Sequence, residues 1–180
     1  MSRRPDWPGQ IPRDQVLANF RPTVTERHQA KKPASQRWRG LRVGMSERHL
    51  VLVRQLPCVI GGETYGIQAH HLKTGPAKGE RGAGFRATDR WSLPLFWTRH
   101  DDLERLGSRR EPAFFHERGL DPYALAAALW ANTGDAARMA RVIVAHQQEA
   151  IRKLALVRRL VREGDLTRAE AFDEVGLGSA

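Results

Sequence analysis

The stretch GGETYGIQAHH (61–71) decides the fold, because it combines a strand pattern with a pair of adjacent histidines. Tyr65, Ile67 and Ala69 alternate with polar neighbours, as the residues of a half-buried strand do. Three glycines interrupt the stretch, and glycine supplies the backbone angles that tight turns require. The pattern therefore predicts a hairpin over residues 58–72.

The stretch WSLPLFWTRHDDLERLG (91–107) extends this pattern downstream. Its apolar first part predicts a short strand at 91–96. The residues that follow predict a short helix at 98–106, which Gly107 can end. Between the two stretches, residues 73–90 (KTGPAKGERGAGFRATDR) are rich in glycine and charge, and are predicted to form a loop.

Helix signals flank this central region on both sides. Ser46 is a predicted N-cap, and Asp121 is another, followed by proline at the first helical position. A long helix is predicted over about 135–162, and Thr167 with Glu170 forms a capping box for a last short helix. Together the signals predict an α+β chain that is mainly α overall.

The chain is strongly basic, with 30 Lys+Arg against 20 Asp+Glu, a net charge of +10 and a pI near 10.9. Such an excess attracts polyanions, because neutralising phosphates releases condensed counterions, so nucleic acid is the predicted partner. A solubilising surface or a basic tail is the alternative. No apolar run could span a bilayer, the N-terminus lacks a secretory signal and the single cysteine cannot form an intrachain disulfide. We therefore expect no membrane association and a cytoplasmic location.

The composition changes along the chain and predicts three parts. Residues 1–43 hold five prolines and ten Lys/Arg against three Asp/Glu, which predicts a basic, disordered N-terminal arm. Residues 44–131 contain the central strands and helices. Residues 132–180 are predicted to be a C-terminal helical extension with a basic amphipathic face, suited to packing on the central part or to self-association.

His70 and His71 end the predicted strand, and His100 follows on the predicted helix. Adjacent strand residues point to opposite faces, so one imidazole can bind a metal while its neighbour faces elsewhere. His100 could supply a second nitrogen ligand and leave positions open for water and a phosphate oxygen. On spacing alone, ordinary polar surface histidines are the alternative interpretation.

The histidines belong to an ordered series of short motifs: LPC (56–58), AHH (69–71), TDRW (88–91), PL (94–95), RHDDL (99–103), FFHERGLDP (114–122) and ALW (128–130). The series resembles the HNH (His-Me finger) endonucleases, particularly a phage- and prophage-associated group. The resemblance implies a small ββα-metal finger within residues 44–131, flanked by helices. It also implies metal-dependent hydrolysis of phosphodiester bonds in DNA.

The resemblance assigns a role to each histidine. His71 would be the general base, and His70 and His100 would ligate one divalent metal ion, left open as Mg, Mn, Ni or Zn. The asparagine of many HNH proteins falls near Trp91 in this chain. We expect Asp89 to orient His71 instead, and the alternative is that Asp89 is an ordinary turn or cap residue.

The chain departs from the family pattern at the position of a structural zinc. Cys58 is kept, but Gly61, Phe96 and Arg99 occupy the other three ligand positions. A structural zinc needs four ligands, so we expect none here. Phe96, with Trp91 and Trp97, is expected to fill the space with apolar packing, and Cys58 is expected to be a small buried hydrophobe.

Glu104 lies one helical turn after His100, at a position where relatives often carry histidine. A carboxylate there could bind a hard cation. The alternative is a surface salt bridge with Arg105 or another neighbouring arginine.

The predicted loop carries five basic residues that we expect to contact nucleic acid, namely Lys73, Lys78, Arg81, Arg86 and Arg90. A solvated charged loop is the alternative. No segment resembles a base-reading helix, which predicts weak sequence specificity. Two other functions stay open: a catalytically inactive HNH-fold nucleic-acid-binding module of phage origin, and an unrelated basic scaffold.

Overall fold

A computed structural model describes residues 44–80, 87–164 and 166–177 of the chain. Its regular elements are α1 (Glu47–Val53), β1 (Ile67–His71), α2 (Gly75–Gly79), β2 (Ser92–Phe96), α3 (Trp97–Leu106), α4 (Glu111–His116), α5 (Pro122–Ala131), α6 (Ala136–Glu163) and α7 (Arg168–Glu174). The same described residues also contain two 3-10 turns, Asp89–Trp91 and Ser108–Arg110. The predicted α+β class, mainly helical with a small sheet, is confirmed. The predicted N-terminal arm lies outside the described residues.

The sheet consists of β1 and β2, which pair antiparallel with Ile67 opposite Phe96 and His71 opposite Ser92. Helix α3 begins directly after β2, and it contacts both strands. The backbone N–H of Trp97 donates to the carbonyl of Gly66 (3.0 Å), which ties the start of α3 to the start of β1. Two strands and one helix therefore form a compact ββα unit around the end of β1.

The predicted hairpin over 58–72 is wrong, because β1 takes its partner from β2 and not from the residues before it. The segment before β1 turns tightly instead, with the N–H of Cys58 donating to the carbonyl of Glu63 (2.8 Å). The N–H of Val59 donates to the carbonyl of Pro94 in β2 (3.0 Å). Val59 is fully buried, so this segment packs into the core rather than alternating between core and solvent.

The residues between the strands are only partly a loop. Helix α2 and the 3-10 turn Asp89–Trp91 lie within the predicted loop 73–90, and residues 81–86 lie outside the described part. The predicted strand at 91–96 is confirmed as β2, one residue shorter. The predicted helix at 98–106 is confirmed as α3, with Gly107 at its C-cap in a left-handed region (φ 77°).

The predicted helix caps are confirmed, because each depends on a short local pattern. The Ser46 side chain accepts from the N–H of His49, and the Asp121 side chain accepts from two N–H groups at the start of α5. Thr167 and Glu170 form the predicted capping box at the start of α7. Across residues 44–80, 87–164 and 166–177, no helix combines the length and apolar character that crossing a membrane requires.

One hydrophobic core joins the ββα unit to the C-terminal helices. Helix α6 buries Met139, Ala140 and Ile143 in the same cluster as the residues of β2. Farther along α6, the Gln147 side chain donates to the carbonyls of Cys58 and Val59, both at 3.1 Å. Helix α6 thus packs against the segment before β1, while His70 near the end of β1 lies against α3 and α4.

Candidate active site and metal centre

The site forms around the two histidines that end β1. Their side chains point to opposite faces of the strand, as adjacent strand residues must. His70 is 1% exposed, and its Nε2 lies 3.0 Å from Oε1 of Glu111 on α4. The His71 side chain is 11% exposed, and its Nε2 lies 2.9 Å from Oδ1 of Asp89. Each imidazole is therefore held through one ring nitrogen by its own carboxylate.

His70, His100 and Glu104 form a group whose ligand atoms all lie within 4.8 Å of one another. The rings of His70 and His100 meet edge to face at 5.3 Å between centroids, and His70 Nδ1 lies 3.5 Å from Oε1 of Glu104. Among the described residues, Nδ1 of His70 and Nδ1 of His100 are buried without a hydrogen-bond partner. His100 Nδ1 lies 3.7 Å from Oδ1 of Asp101, beyond hydrogen-bond distance. Two imidazoles, one carboxylate and buried ring nitrogens without hydrogen bonds fit a divalent metal ion.

The protonation state of His100 also suits a metal ligand. Burial lowers the pKa of His100, and the nearby His70 lowers it further, although neighbouring carboxylates oppose the shift. A lowered pKa keeps the imidazole neutral at physiological pH, and the neutral form is the one that binds metals. The sequence-predicted ligands His70 and His100 are thus brought together by β1 and α3.

Glu104 joins the group and also forms an ion pair. The salt-bridge alternative named an arginine, but the partner is Lys73, two residues beyond His71. Arg105 pairs with Asp102 instead (3.4 Å). Burial alone would raise the pKa of Glu104, but the hydrogen bond and charge of Lys73 lower it below its ordinary value. Glu104 is therefore an ionised carboxylate at the edge of the candidate metal centre.

Asp89 anchors the opposite face of the strand end. It is buried in the 3-10 turn before β2, and its Oδ2 accepts from the N–H of Ser46 at the start of α1 (2.7 Å). Its backbone carbonyl accepts from the Ser92 hydroxyl (2.8 Å). Asp89 is therefore both a turn residue and the hydrogen-bond partner of His71, because the 3-10 turn places its carboxylate beside the imidazole.

Glu111 is a site residue that the sequence reasoning missed. It opens α4, it is 1% exposed, and besides His70 it accepts from the N–H groups of Lys73 (2.7 Å) and Thr74 (3.0 Å). Burial would raise its pKa, but these hydrogen bonds lower the pKa below its usual range. A glutamate before proline in a first helical turn usually faces solvent, so no local signal marked Glu111 as buried.

His49 is a second buried group near the site that the sequence did not reveal. It lies on α1, fully buried, with Nδ1 2.7 Å from the Thr133 hydroxyl and its ring edge to face with Trp130. Burial lowers the pKa of His49 to about 4, against opposing attraction from Asp89. His49 is therefore neutral at physiological pH.

Of the five basic residues predicted to contact nucleic acid, three lie in the described part of the chain, and two of these form ion pairs. Lys73 pairs with Glu104, and Arg90 pairs with Glu80 (3.5 Å) and stacks over the ring of Trp91 at 4.6 Å. Lys78 is exposed on α2. The other two predicted contacts, Arg81 and Arg86, lie outside the described residues.

At the four positions that the HNH resemblance assigns to a structural zinc, the side chains make other interactions. Cys58 is fully buried, and burial raises the pKa of its thiol, so the expectation of a small buried hydrophobe is confirmed. A side chain at Gly61 would meet the carboxylate of Glu63, which forms an ion pair with Arg99 (3.0 Å). Phe96 is half-buried against the core.

The tryptophans expected to share this space do so only in part. Trp97 contacts the Phe96 ring (5.8 Å between centroids) but is 48% exposed. Trp91 is buried and meets Tyr123 instead. The expectation that Trp97 fills a buried space is therefore wrong, because the first turn of α3 carries it outward.

The arrangement combines a carboxylate-held histidine with a group suited to a divalent ion at the end of one strand. Such a combination can move a proton and stabilise charge on a phosphate. No protein-family model, no curated protein and no solved structure matches the chain.

Proposed function

We propose that the chain is a metal-dependent endonuclease or nickase of the HNH type, which hydrolyses phosphodiester bonds in DNA with weak sequence specificity. One observation carries the proposal. At the end of β1, the His71–Asp89 pair lies on one face and the His70–His100–Glu104 group on the other. Adjacent residues thus supply a proton acceptor and a metal ligand, and their order matches the order that the HNH resemblance implies.

His71 is the proposed general base. Asp89 is a buried carboxylate that accepts from Nε2 of His71, which keeps the proton on Nε2 and leaves Nδ1 to accept a proton. An imidazole held in one tautomer and one orientation can deprotonate a water that attacks phosphorus. His71 is also the more accessible of the two histidines, as a base that meets substrate must be.

His70, His100 and Glu104 are the proposed holders of one divalent ion. The bound ion would supply Lewis-acid stabilisation of the charge on the phosphate and on the leaving 3′-oxygen. A mixed set of imidazoles and a carboxylate suits Mn, Ni or Zn, and its open positions also accommodate Mg. The three side chains come from β1 and α3, so the ββα unit fixes their separation.

The proposed substrate is the DNA backbone. The net charge of +10 favours a polyanion, and Lys73 and Lys78 lie on the segment that leaves β1 beside the site. Lysine contacts to phosphates position a duplex without reading its sequence. Weak sequence specificity follows from contacts of this kind.

Plasmid nicking by the full-length protein tests the proposal. Supercoiled DNA is incubated with Mg²⁺, Mn²⁺, Ni²⁺, Zn²⁺ or EDTA, and His71→Ala is run beside His146→Ala, a half-buried histidine of α6. We expect metal-dependent conversion to open circles that disappears in His71→Ala and persists in His146→Ala. Salt-sensitive DNA binding without cleavage under any ion would overturn the nuclease and favour the inactive HNH-fold binding module.

A further inference from the structure

We infer that Glu111 is a positioning residue, which fixes the tautomer of His70 so that Nδ1 stays unprotonated and able to bind a metal ion. The inference rests on the proposed function for the identity of the bound group. It concerns a residue that lies 41 positions from His70 in the chain and meets it only in the folded protein. The tautomer of His70 can be measured on the metal-free protein.

The contact between Glu111 and His70 leaves one choice for the imidazole proton. Oε1 of Glu111 lies 3.0 Å from Nε2 of His70, and both side chains are 1% exposed. An ionised carboxylate can only accept hydrogen bonds. In the neutral imidazole Nε2 must therefore donate, which leaves the lone pair on Nδ1, the atom 3.5 Å from Glu104.

The second oxygen of Glu111 is what holds the carboxylate in place. Oε2 accepts from the N–H of Lys73 (2.7 Å), the N–H of Thr74 (3.0 Å) and the Thr74 hydroxyl (2.5 Å). The Thr74 hydroxyl also lies 2.7 Å from the hydroxyl of Tyr123 on α5. Three donors converge on one oxygen, so that end of the side chain must remain an acceptor.

Glu111→Gln converts this arrangement into a test. The amide oxygen must face the donors from Lys73 and Thr74, because an NH₂ group there would leave buried donors facing each other. The NH₂ group is then directed at Nε2 of His70 and donates to it. Nε2 becomes an acceptor and the proton moves to Nδ1, so the variant holds the imidazole in the tautomer that cannot bind the ion.

The experiment measures tautomer and metal affinity on the same full-length samples. A long-range ¹H–¹⁵N spectrum of ¹⁵N-histidine-labelled protein at pH 7.5, assigned with His70→Asn, reports which nitrogen of His70 carries the proton. We expect Nε2–H in the wild type and Nδ1–H in Glu111→Gln. Calorimetric titration with Mn²⁺ is expected to show affinity lower by roughly 10- to 100-fold in Glu111→Gln. Glu117→Gln, an exposed carboxylate just after α4, is the matched control and keeps the wild-type tautomer and affinity.

The wild-type spectrum tests the tautomer assignment of His70 even if Glu111→Gln does not fold. A proton on Nδ1 of His70 in the wild type would overturn the inference, as would a folded Glu111→Gln with an unchanged tautomer and unchanged Mn²⁺ affinity. If the wild type carries Nε2–H but binds no divalent ion, the tautomer assignment stands and the proposed nuclease fails. The two ideas are therefore separable in one set of samples.

Discussion

The two faces of the end of β1 carry the same residue type, held in the same way, for different proposed purposes. The metal face consists of His70, His100 and Glu104, and the base face consists of His71 and Asp89. Both strand histidines meet a carboxylate through Nε2, at 3.0 Å and 2.9 Å. What differs is the surroundings of the other ring nitrogen, which on the metal face is buried among further ligands. A histidine's role is set by what its second nitrogen meets.

The two anchoring carboxylates differ in how they are held. Glu111 on the metal face is fixed by donors from Lys73 and Thr74, two and three residues after the end of β1. Asp89 on the base face is fixed by the N–H of Ser46. A change on one face should therefore leave the other face intact.

The largest expected effect separates the two histidines. His71→Ala should slow nicking by about 10²- to 10⁴-fold, the usual contribution of a general base, while Mn²⁺ affinity stays within about two-fold of the wild type. His70→Ala should lose both nicking and Mn²⁺ binding, because it removes a ligand. Nicking rates and calorimetric titrations on the two variants measure this difference. Equal loss of Mn²⁺ affinity in both variants would show that the faces do not act separately.

Asp89→Asn should damage the base face alone. The N–H of Ser46 holds one oxygen of Asp89, so the amide NH₂ of the variant should face His71 and force the proton onto Nδ1. Nicking should fall on the order of 100-fold, with Mn²⁺ affinity retained. The measurement is single-turnover nicking on samples whose circular dichroism matches the wild type. Undiminished nicking by such a folded variant would remove Asp89 from the mechanism.

His49 shows what burial does to an imidazole without a carboxylate hydrogen bond. Its pKa is about 4 in the folded protein against 6.5 for the free side chain. Between pH 6.5 and 4 the unfolded chain gains a proton that the folded chain does not, so stability falls as the pH falls through this window and the loss ends below pH 4. The loss should reach up to about 3 kcal/mol.

Urea unfolding of the wild type and of His49→Gln, at pH 7 and at pH 4, checks this expectation. The variant should lose less stability on acidification, because Gln does not titrate. Other titrating groups are shared by the two proteins and cancel in the comparison. An identical acid-induced loss in both would mean that His49 is not the group responsible.

The smallest expected effect concerns the Lys73–Glu104 pair on the metal face. An ion that binds Glu104 must compete with the Lys73 ammonium, so Lys73→Met should raise Mn²⁺ affinity. The rise should be about two- to five-fold, since a partly exposed ion pair is worth up to about 1 kcal/mol. Calorimetry compares Lys73→Met with Lys78→Met, which removes an exposed lysine from α2. A drop in affinity for Lys73→Met alone would mean that the lysine supports the ion.

Much of the fold was predictable because its signals are local. The caps at Ser46, Asp121 and Thr167 are decided by three or four consecutive residues, and they were predicted correctly. The hairpin over 58–72 was predicted wrongly because strand pairing is not local. β1 and β2 are separated by α2 and by a 3-10 turn, and nothing within β1 specifies so distant a partner.

In the candidate site too, residues marked by a local motif could be predicted, and residues brought in by tertiary packing could not. His70, His71 and His100 stand out in the sequence as motif residues, and Asp89 stands close enough to be suspected. Glu111 was missed because its burial depends on how α4 packs against the end of β1. The partner of Glu104 was misjudged for the same reason, since Lys73 approaches it only through the folding of β1 against α3.

Anomalous diffraction at the manganese edge, from crystals of the full-length protein soaked in Mn²⁺, locates the ion directly. We predict one strong peak on the metal face, within coordination distance of Nδ1 of His70, a ring nitrogen of His100 and a carboxylate oxygen of Glu104. His71 should remain uncoordinated and hydrogen-bonded to Asp89. A peak elsewhere, or a peak coordinated by His71, would contradict the division of roles between the two faces of β1.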